Sequence, residues 1–110
     1  MGTPSNSTTP TLPRFELGQL CQTPGAQDIL QRYRVNPFLL IGRHLQGDWG
    51  DICPEDARAN EEALQEGARI LSSYTLPPPV SEDETLAPTK VWVITEADRS
   101  VTTILLPEEY

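Results

Sequence analysis

Residues 90–106 read KVWVITEADRSVTTILL, and this stretch decides the fold class. Its two runs of β-branched and aromatic residues, 90–96 and 101–106, have the composition of β-strands. The four residues between them, 97–100, suit the connection of an antiparallel hairpin. Asp98 favours such a turn because its side chain can bond to the local backbone. The stretch therefore predicts the centre of an antiparallel sheet.

A third strand is predicted over residues 68–76, with Ile70 and Leu71 on opposite faces. The segment that joins it to the hairpin, residues 77–88, holds three consecutive prolines and a Ser-Glu-Asp-Glu run. Such a composition is typical of a flexible loop. We therefore expect a sheet of about three strands.

Helices are predicted in the first half of the chain. Three helix starts are indicated by a proline directly after a capping position, at Thr23-Pro24, Asn36-Pro37 and Cys53-Pro54. Apolar residues at intervals of three and four follow the first two starts, while the third helix is rich in alanine and glutamate. Gly47 and Gly67 occupy positions that are typical of helix C-termini.

These elements predict an α+β fold in which two or three short N-terminal helices pack on a small C-terminal antiparallel sheet. With 110 residues there is room for one domain. We place it over residues 14–110. Residues 1–13 are rich in Ser, Thr and Pro, and we expect them to form a disordered tail.

The net charge is −8 and is unevenly distributed along the chain. Residues 1–50 contain four basic and three acidic side chains, whereas residues 51–110 contain four basic and thirteen acidic ones. This charge opposes binding to nucleic acid and favours a basic protein partner. No apolar run approaches the ~20 residues of a membrane span. We therefore expect a cytoplasmic protein that does not contact membranes.

The sequence gives no indication of a metal or a cofactor. Cys21, Cys53 and His44 cannot complete a four-ligand zinc site without carboxylates. A single disulfide is possible, but buried or half-buried free thiols are expected. Glycine-rich phosphate loops and the common nucleophile motifs are also missing from the sequence.

The stretch Arg43–Asp51, RHLQGDWGD, contains the candidate functional residues. His44 could act as a general base oriented by Asp48 or Asp51, with Arg43 stabilising an anionic transition state. Hydroxyls for such a site could come from Thr102, Thr103 or Tyr110, and Thr103 completes the candidate catalytic set. The structural alternative is that His44 ends a helix, where a partly protonated imidazole favours the helix dipole.

Trp49, with Asp48 and Asp51 beside it, is the candidate binding site. An indole between two glycines could anchor a partner protein, because interface hot spots favour tryptophan. The alternative is a ring that fills the core beneath the loop and donates its N–H to a carbonyl. Asp48 and Asp51 would then cap backbone amides, and those capped by Asp51 could be the first amides of the third helix.

Several motifs resemble those of small uncharacterised bacterial proteins carried on plasmids and integrated elements, under labels such as plasmid-related protein. The motifs are Arg43-His44, Gly47–Asp51, Asn60-Glu61, Trp92–Ser100 and Thr102–Tyr110. The resemblance covers residues 15–110 apart from 77–88, which looks like an insertion. It implies no particular chemistry. Some relatives have a restriction–modification label, but this chain lacks the motifs and the length of an adenine methylase.

Three functional hypotheses follow. The first is a non-enzymatic accessory or protein-interaction protein of a mobile element, acting through the acidic helix and sheet face or through the Trp49 loop. The second is a small metal-independent ribonuclease or toxin-like domain with His44 as general base, although the net charge of −8 counts against RNA binding. The third is an acidic DNA mimic that blocks a host defence enzyme.

Overall fold

The computed structural model describes residues 13–79 and 86–110. Its elements, in chain order, are β1 (Gln19–Gln22), α1 (Pro24–Arg32), α2 (Pro37–Leu45), α3 (Pro54–Glu66), β2 (Ile70–Leu76), β3 (Thr89–Thr95), β4 (Val101–Leu105) and a 3-10 turn (Pro107–Glu109). The fold is α+β, as predicted. Nothing in the described ranges forms a helix long and apolar enough to cross a membrane. The predicted tail lies outside these ranges except for Pro13, as does the middle of the proline-rich loop.

The helix termini follow the local sequence signals. Thr23 accepts a hydrogen bond from the Ala26 amide, and Asn36 accepts one from the Phe38 amide. Both bonds satisfy amides that have no partner within the helix. At the end of α3, Gly67 has the left-handed conformation expected of a glycine cap. The three predicted helices are therefore confirmed, but β1 precedes them, so the expected order of helices first and sheet strands afterwards is matched only in part.

The sheet differs from the prediction because it has four strands and is mixed. The strand order is β1-β4-β3-β2, with β1 parallel to β4 and the other pairs antiparallel. The sequence of β1, QLCQ, gives no strand signal, since all four residues are exposed and none is β-branched. Long-range backbone bonds define this strand, including the one from the Gln19 amide to the Ser100 carbonyl (2.9 Å).

One face of the sheet forms the main core with α1 and α2. The alternate residues of β2, β3 and β4 on this face meet the apolar stripes of the two helices. The largest cluster of buried side chains consists of Ala26, Leu30, Tyr33, Leu40, Ile41, Tyr74, Leu76, Val91, Val93 and Ile104. A second cluster contains Trp49, Ala63 and Ile70, with Phe15 and residues of α3 packed against it.

The turn between β3 and β4 is attached to α3 by Arg99. The Arg99 guanidinium donates to the carbonyl oxygens of Ala63 (3.0 Å) and Ala68 (2.7 Å). The Asp98 carboxylate accepts from the Ser100 amide, which confirms the local turn bond predicted from the sequence. The turn therefore closes the end of α3 and holds the guanidinium against the domain.

The outer edge of β2 is covered by the chain itself. The Asn60 side chain exchanges two hydrogen bonds with the backbone of Leu71, at 2.7 and 3.2 Å. Farther along the strand, the Ser73 amide donates to the backbone carbonyl of Trp49, and the Ser73 carbonyl accepts from the Asp51 amide. An edge whose backbone groups are paired in this way is protected against addition of another strand.

Replacement of Asn60 by alanine is expected to lower the free energy of unfolding by about 1–3 kcal/mol, because it leaves the Leu71 amide and carbonyl without these partners. Chemical unfolding monitored by circular dichroism measures the change. Gln65→Ala, at an exposed position of the same helix, is the control. Equal unfolding midpoints for the two variants would contradict a role for Asn60 in covering the edge.

Candidate functional site

The candidate stretch runs from the last turn of α2 to the edge of β2. The Arg43 guanidinium binds the Asp48 carboxylate through two bonds of 2.7 and 3.3 Å. Asp48 also accepts from the Gly50 amide, and its own amide donates to the Arg43 carbonyl. The hydrogen bonds with the carboxylate hold the pKa of Asp48 below its ordinary value and raise the pKa of Arg43. These two charged residues therefore bind each other and close the loop.

His44 is fully buried between α2 and the sheet, with 0% of its surface exposed. Its Nδ1 lies 2.6 Å from the Ser72 hydroxyl, and its Nε2 lies 2.9 Å from the Thr95 hydroxyl. Burial lowers the pKa of His44 to about 4, because the charged imidazolium loses its hydration. The imidazole is therefore neutral at pH 7.

Hydrogen-bond geometry selects the tautomer of His44. Thr102 donates to the Leu17 carbonyl (2.8 Å), and that carbonyl can only accept. In the 2.7 Å contact between the hydroxyls of Thr95 and Thr102, Thr95 is then the donor. Thr95 thus accepts from Nε2–H of His44, which leaves Nδ1 to accept from Ser72. Every side chain in this buried row of hydrogen bonds has a partner.

The residues of the candidate catalytic set are not brought together. The partners of the His44 ring are hydroxyls and not the carboxylates of Asp48 or Asp51. Thr103 follows Thr102, which lies on the His44 side of the sheet, so Thr103 faces the opposite side. The imidazole has no surface at which a substrate could reach it. His44 does lie in the last turn of α2, as the structural alternative expected, but burial lowers its pKa, so the partly protonated form is not favoured.

Trp49 is buried as a ring beneath the loop, with 6% of its surface exposed. Its ring centroid lies 5.9 Å from that of His44 and 6.3 Å from that of Phe15. The indole N–H donates to the Glu61 carboxylate (3.1 Å), which Arg14 binds through two further bonds. The expected core position of Trp49 is confirmed, although the acceptor is a carboxylate and not a carbonyl. An indole held in this way presents little surface to a partner.

Gly50 allows the loop to run close against β2. It forms a parallel bridge with Ser73 and has a positive φ of 78°. A Cβ at this position would collide with the Ser73 carbonyl oxygen. Only glycine combines this conformation with such an approach. The loop therefore acts as a short additional strand, and its mixture of Gly, Asp and Trp has a structural reason.

Asp51 does not cap α3, contrary to expectation. Its carboxylate accepts from the Thr75 hydroxyl, and Cys53 stands at the cap position without a side-chain bond. The Asp51 carboxylate is thus directed along the outside of β2. The start of α3 keeps two acidic residues in its first turn, Glu55 and Asp56, which complement the helix dipole.

A groove lies between the start of α3 and the sheet face that is opposite to His44. Its volume is about 300 Å³. Asp51 and Asp56 line one part of it, and Lys90, Trp92 and Pro107 line another. Trp92 is half-buried and contacts the Tyr110 ring at 5.6 Å between centroids. Strand alternation puts Trp92 on the face opposite to Val91 and Val93, and no local sequence signal indicates that α3 approaches this face.

The helix α3 is strongly acidic. It contains five carboxylates and one guanidinium. Of these carboxylates, Glu61 is the one that forms an ion pair within residues 13–79 and 86–110. No group of three or more His, Cys, Asp or Glu side chains in the same ranges could hold a metal ion. Cys21 and Cys53 are free thiols, but both are exposed, so the expected burial of these side chains was wrong.

Comparisons with family models, curated protein sequences and solved structures found no match to this chain. The resemblance to plasmid-related proteins therefore stays a prediction. Over residues 13–79 and 86–110, the structure itself defines the class of protein, an α+β domain with three helices and a four-stranded mixed sheet.

Proposed function

We propose that this chain is a non-enzymatic interaction protein that binds a basic segment of a partner protein. The binding site is the groove between the start of α3 and the sheet face at Trp92. The observation that carries the proposal is the position of two carboxylates, Asp51 and Asp56, beside a half-buried indole in a groove of about 300 Å³. This surface is the acidic helix and sheet face of the first hypothesis, now specified by residue.

The chemistry of the groove supports a basic segment. A Lys or Arg side chain can place its alkyl stem on Trp92 and its charged end near Asp56, combining apolar contact with charge pairing. The remaining carboxylates of α3 increase the rate of encounter with a positively charged chain. Lys90 supplies one opposing charge in the groove, which favours a segment with an acceptor at that end.

The buried position of His44 argues against the ribonuclease hypothesis. A general base must come within hydrogen-bond reach of the proton that it removes. The His44 ring is enclosed by Ser72 and Thr95, and it shares no surface with Arg43 or Thr103. An interaction protein therefore accounts better for the exposed chemistry.

The test is direct binding of defined peptides, measured by fluorescence anisotropy. Three labelled peptides of equal length alternate leucine with arginine, serine or aspartate. We expect binding of the arginine peptide alone, with affinity that falls as salt rises. Asp56→Asn should weaken it about threefold, the effect of one exposed charge pair of up to ~1 kcal/mol. Trp92→Ala should weaken it more than about tenfold, as for a central aromatic contact.

Glu66→Gln is the matched control, because it removes one carboxylate from the other end of α3. Unchanged binding in this variant, with loss in Asp56→Asn, supports the groove. Equal losses in the two variants would point to a surface that acts by charge alone, as the DNA-mimic hypothesis requires. Failure of the arginine peptide to bind the wild-type protein would refute the proposal.

A further inference from the structure

The two edges of the sheet differ in whether other parts of the chain cover them. The β2 edge is covered by Asn60 and by the Trp49–Asp51 loop, whereas β1 is the terminal strand on the other side. The amides of Gln19 and Thr23 donate inward, to Ser100 and Ile104 of the β4 side. Because alternate residues of an edge strand face opposite directions, the backbone groups of Leu20 and Gln22 face outward.

The surface beside this open edge is apolar. A groove of about 220 Å³ separates β1 from the start of α2 and is lined by Leu20, Pro37, Phe38 and Ile41, among others. Leu20 is 43% exposed, Phe38 67%, and the neighbouring Leu39 62%. These are the large apolar side chains that stay most exposed on the helices and strands. An open edge next to exposed apolar side chains is the usual setting for strand addition.

Within the part of the chain that the structure describes, neither β1 nor the groove beside it has a charged side chain. The residues of β1 and those that line the groove include no Asp, Glu, Lys, Arg or His, and the Cys21 thiol is the one ionisable group among them. In a chain with a net charge of −8, two copies repel each other over most of their surface. A contact between copies is therefore favoured where charge is lacking. The edge also lacks the lysine, proline or bulge that commonly prevents such pairing.

We propose that β1 pairs antiparallel with β1 of a second copy, so that two four-stranded sheets join into one. With the two-fold axis at Cys21, Leu20 of each copy lies opposite Gln22 of the other, and each pair exchanges two backbone bonds. Both helical layers then lie on the same side of the joined sheet, where Phe38 of one copy approaches that of the other. This interface lies at the opposite edge from β2 and does not depend on the proposed function.

Cys21 makes the pairing testable. At the centre of this register the two Cys21 residues form a non-hydrogen-bonded pair, with Cα atoms about 4.5 Å apart. That separation is within the range of about 4.4–6.8 Å found for disulfides. Diamide can accept the two electrons and two protons released when two Cys21 thiols form a disulfide. Cys53, on the far side of the sheet beside β2, is placed away from the interface.

The experiment combines sedimentation with crosslinking of the full chain. Sedimentation from micromolar to about 1 mM, the range of weak association, should show a dimer. Leu20→Lys should weaken dimerisation more than about tenfold, because a charge then lies on each side of the interface. The control Gln65→Lys adds the same charge on exposed α3 and should have no effect. With diamide, Cys53→Ser should form a covalent dimer and Cys21→Ser should not.

Several results would overturn the proposal. A wild-type chain that sediments as a monomer throughout would do so, as would a dimer that is insensitive to Leu20→Lys while circular dichroism shows the variant to be folded. Crosslinking through Cys53 in preference to Cys21 would place the interface elsewhere. A monomer whose β1 edge instead binds an extended peptide would assign the edge to another protein.

Discussion

Acidification from pH 7 to about pH 4 is expected to lower the free energy of unfolding by about 3 kcal/mol through His44 alone. The pKa of His44 is about 4 in the folded protein and 6.5 in an unfolded chain. Between these values the unfolded state binds the proton and the folded state does not. Stability is therefore complete above pH 6.5 and falls as the pH drops to about 4, at about 1.4 kcal/mol per pH unit.

The measurement is the free energy of unfolding as a function of pH, for the wild type and for His44→Gln. Glutamine has both a donor and an acceptor for Ser72 and Thr95, but it does not titrate in this range. Exposed carboxylates with lowered pKa values, such as Asp48, also favour unfolding in acid, and they remain in the variant. The difference in slope between the two proteins therefore isolates the imidazole.

A second measurement does not require the variant to fold. His44 is the only histidine of the chain, so NMR of its ring nitrogens reports one titration and one tautomer. We expect a neutral ring with the proton on Nε2 and a midpoint near pH 4. A midpoint near 6.5, with equal pH slopes for wild type and His44→Gln, would contradict burial of the ring. It would also restore His44 as a candidate base.

The sequence predicted the elements whose signals are local. The start of each helix follows from a capping position and the proline after it, as at Thr23-Pro24 and Asn36-Pro37. The hairpin follows from β-branched residues on both sides of a turn that Asp98 stabilises. β1 has no such signal. Its position depends on backbone bonds to β4, about eighty residues later in the chain, which no periodicity of QLCQ could indicate.

The chemistry of the candidate site was harder to predict, because its residue types suit both catalysis and packing. His44 depends on Ser72 and Thr95, which are 28 and 51 residues away. The Trp49 indole depends on Glu61, which α3 brings back across the loop. His44 is therefore close to Asp48 and Asp51 in the sequence, but its ring is bound by neither carboxylate. The sequence identified Trp92 as a strand residue and not as part of a groove, because the groove forms only when α3 packs beside the sheet.

Replacement by alanine is expected to affect mainly stability at Trp49 and mainly peptide binding at Trp92. Trp49→Ala should lower the free energy of unfolding by about 3–5 kcal/mol, the cost of deleting a buried aromatic ring. Part of this cost arises because the rings of Phe15 and His44 lose their neighbour. Trp92 is half-buried, and Trp92→Ala should cost less stability while it removes peptide binding. Chemical unfolding and the anisotropy assay measure the two effects on the same protein samples.

Trp49→Phe separates packing from hydrogen bonding. It retains an aromatic ring in the core but loses the donor to Glu61, whose other bonds come from Arg14 and are exposed to water. The free energy of unfolding should fall by only about 1 kcal/mol, since water can replace the lost donor. Peptide binding should be unchanged, because the ring does not line the groove. If Trp49→Ala instead stayed as stable as the wild type but lost binding, Trp49 would be the anchor, and the loop would be a recognition site.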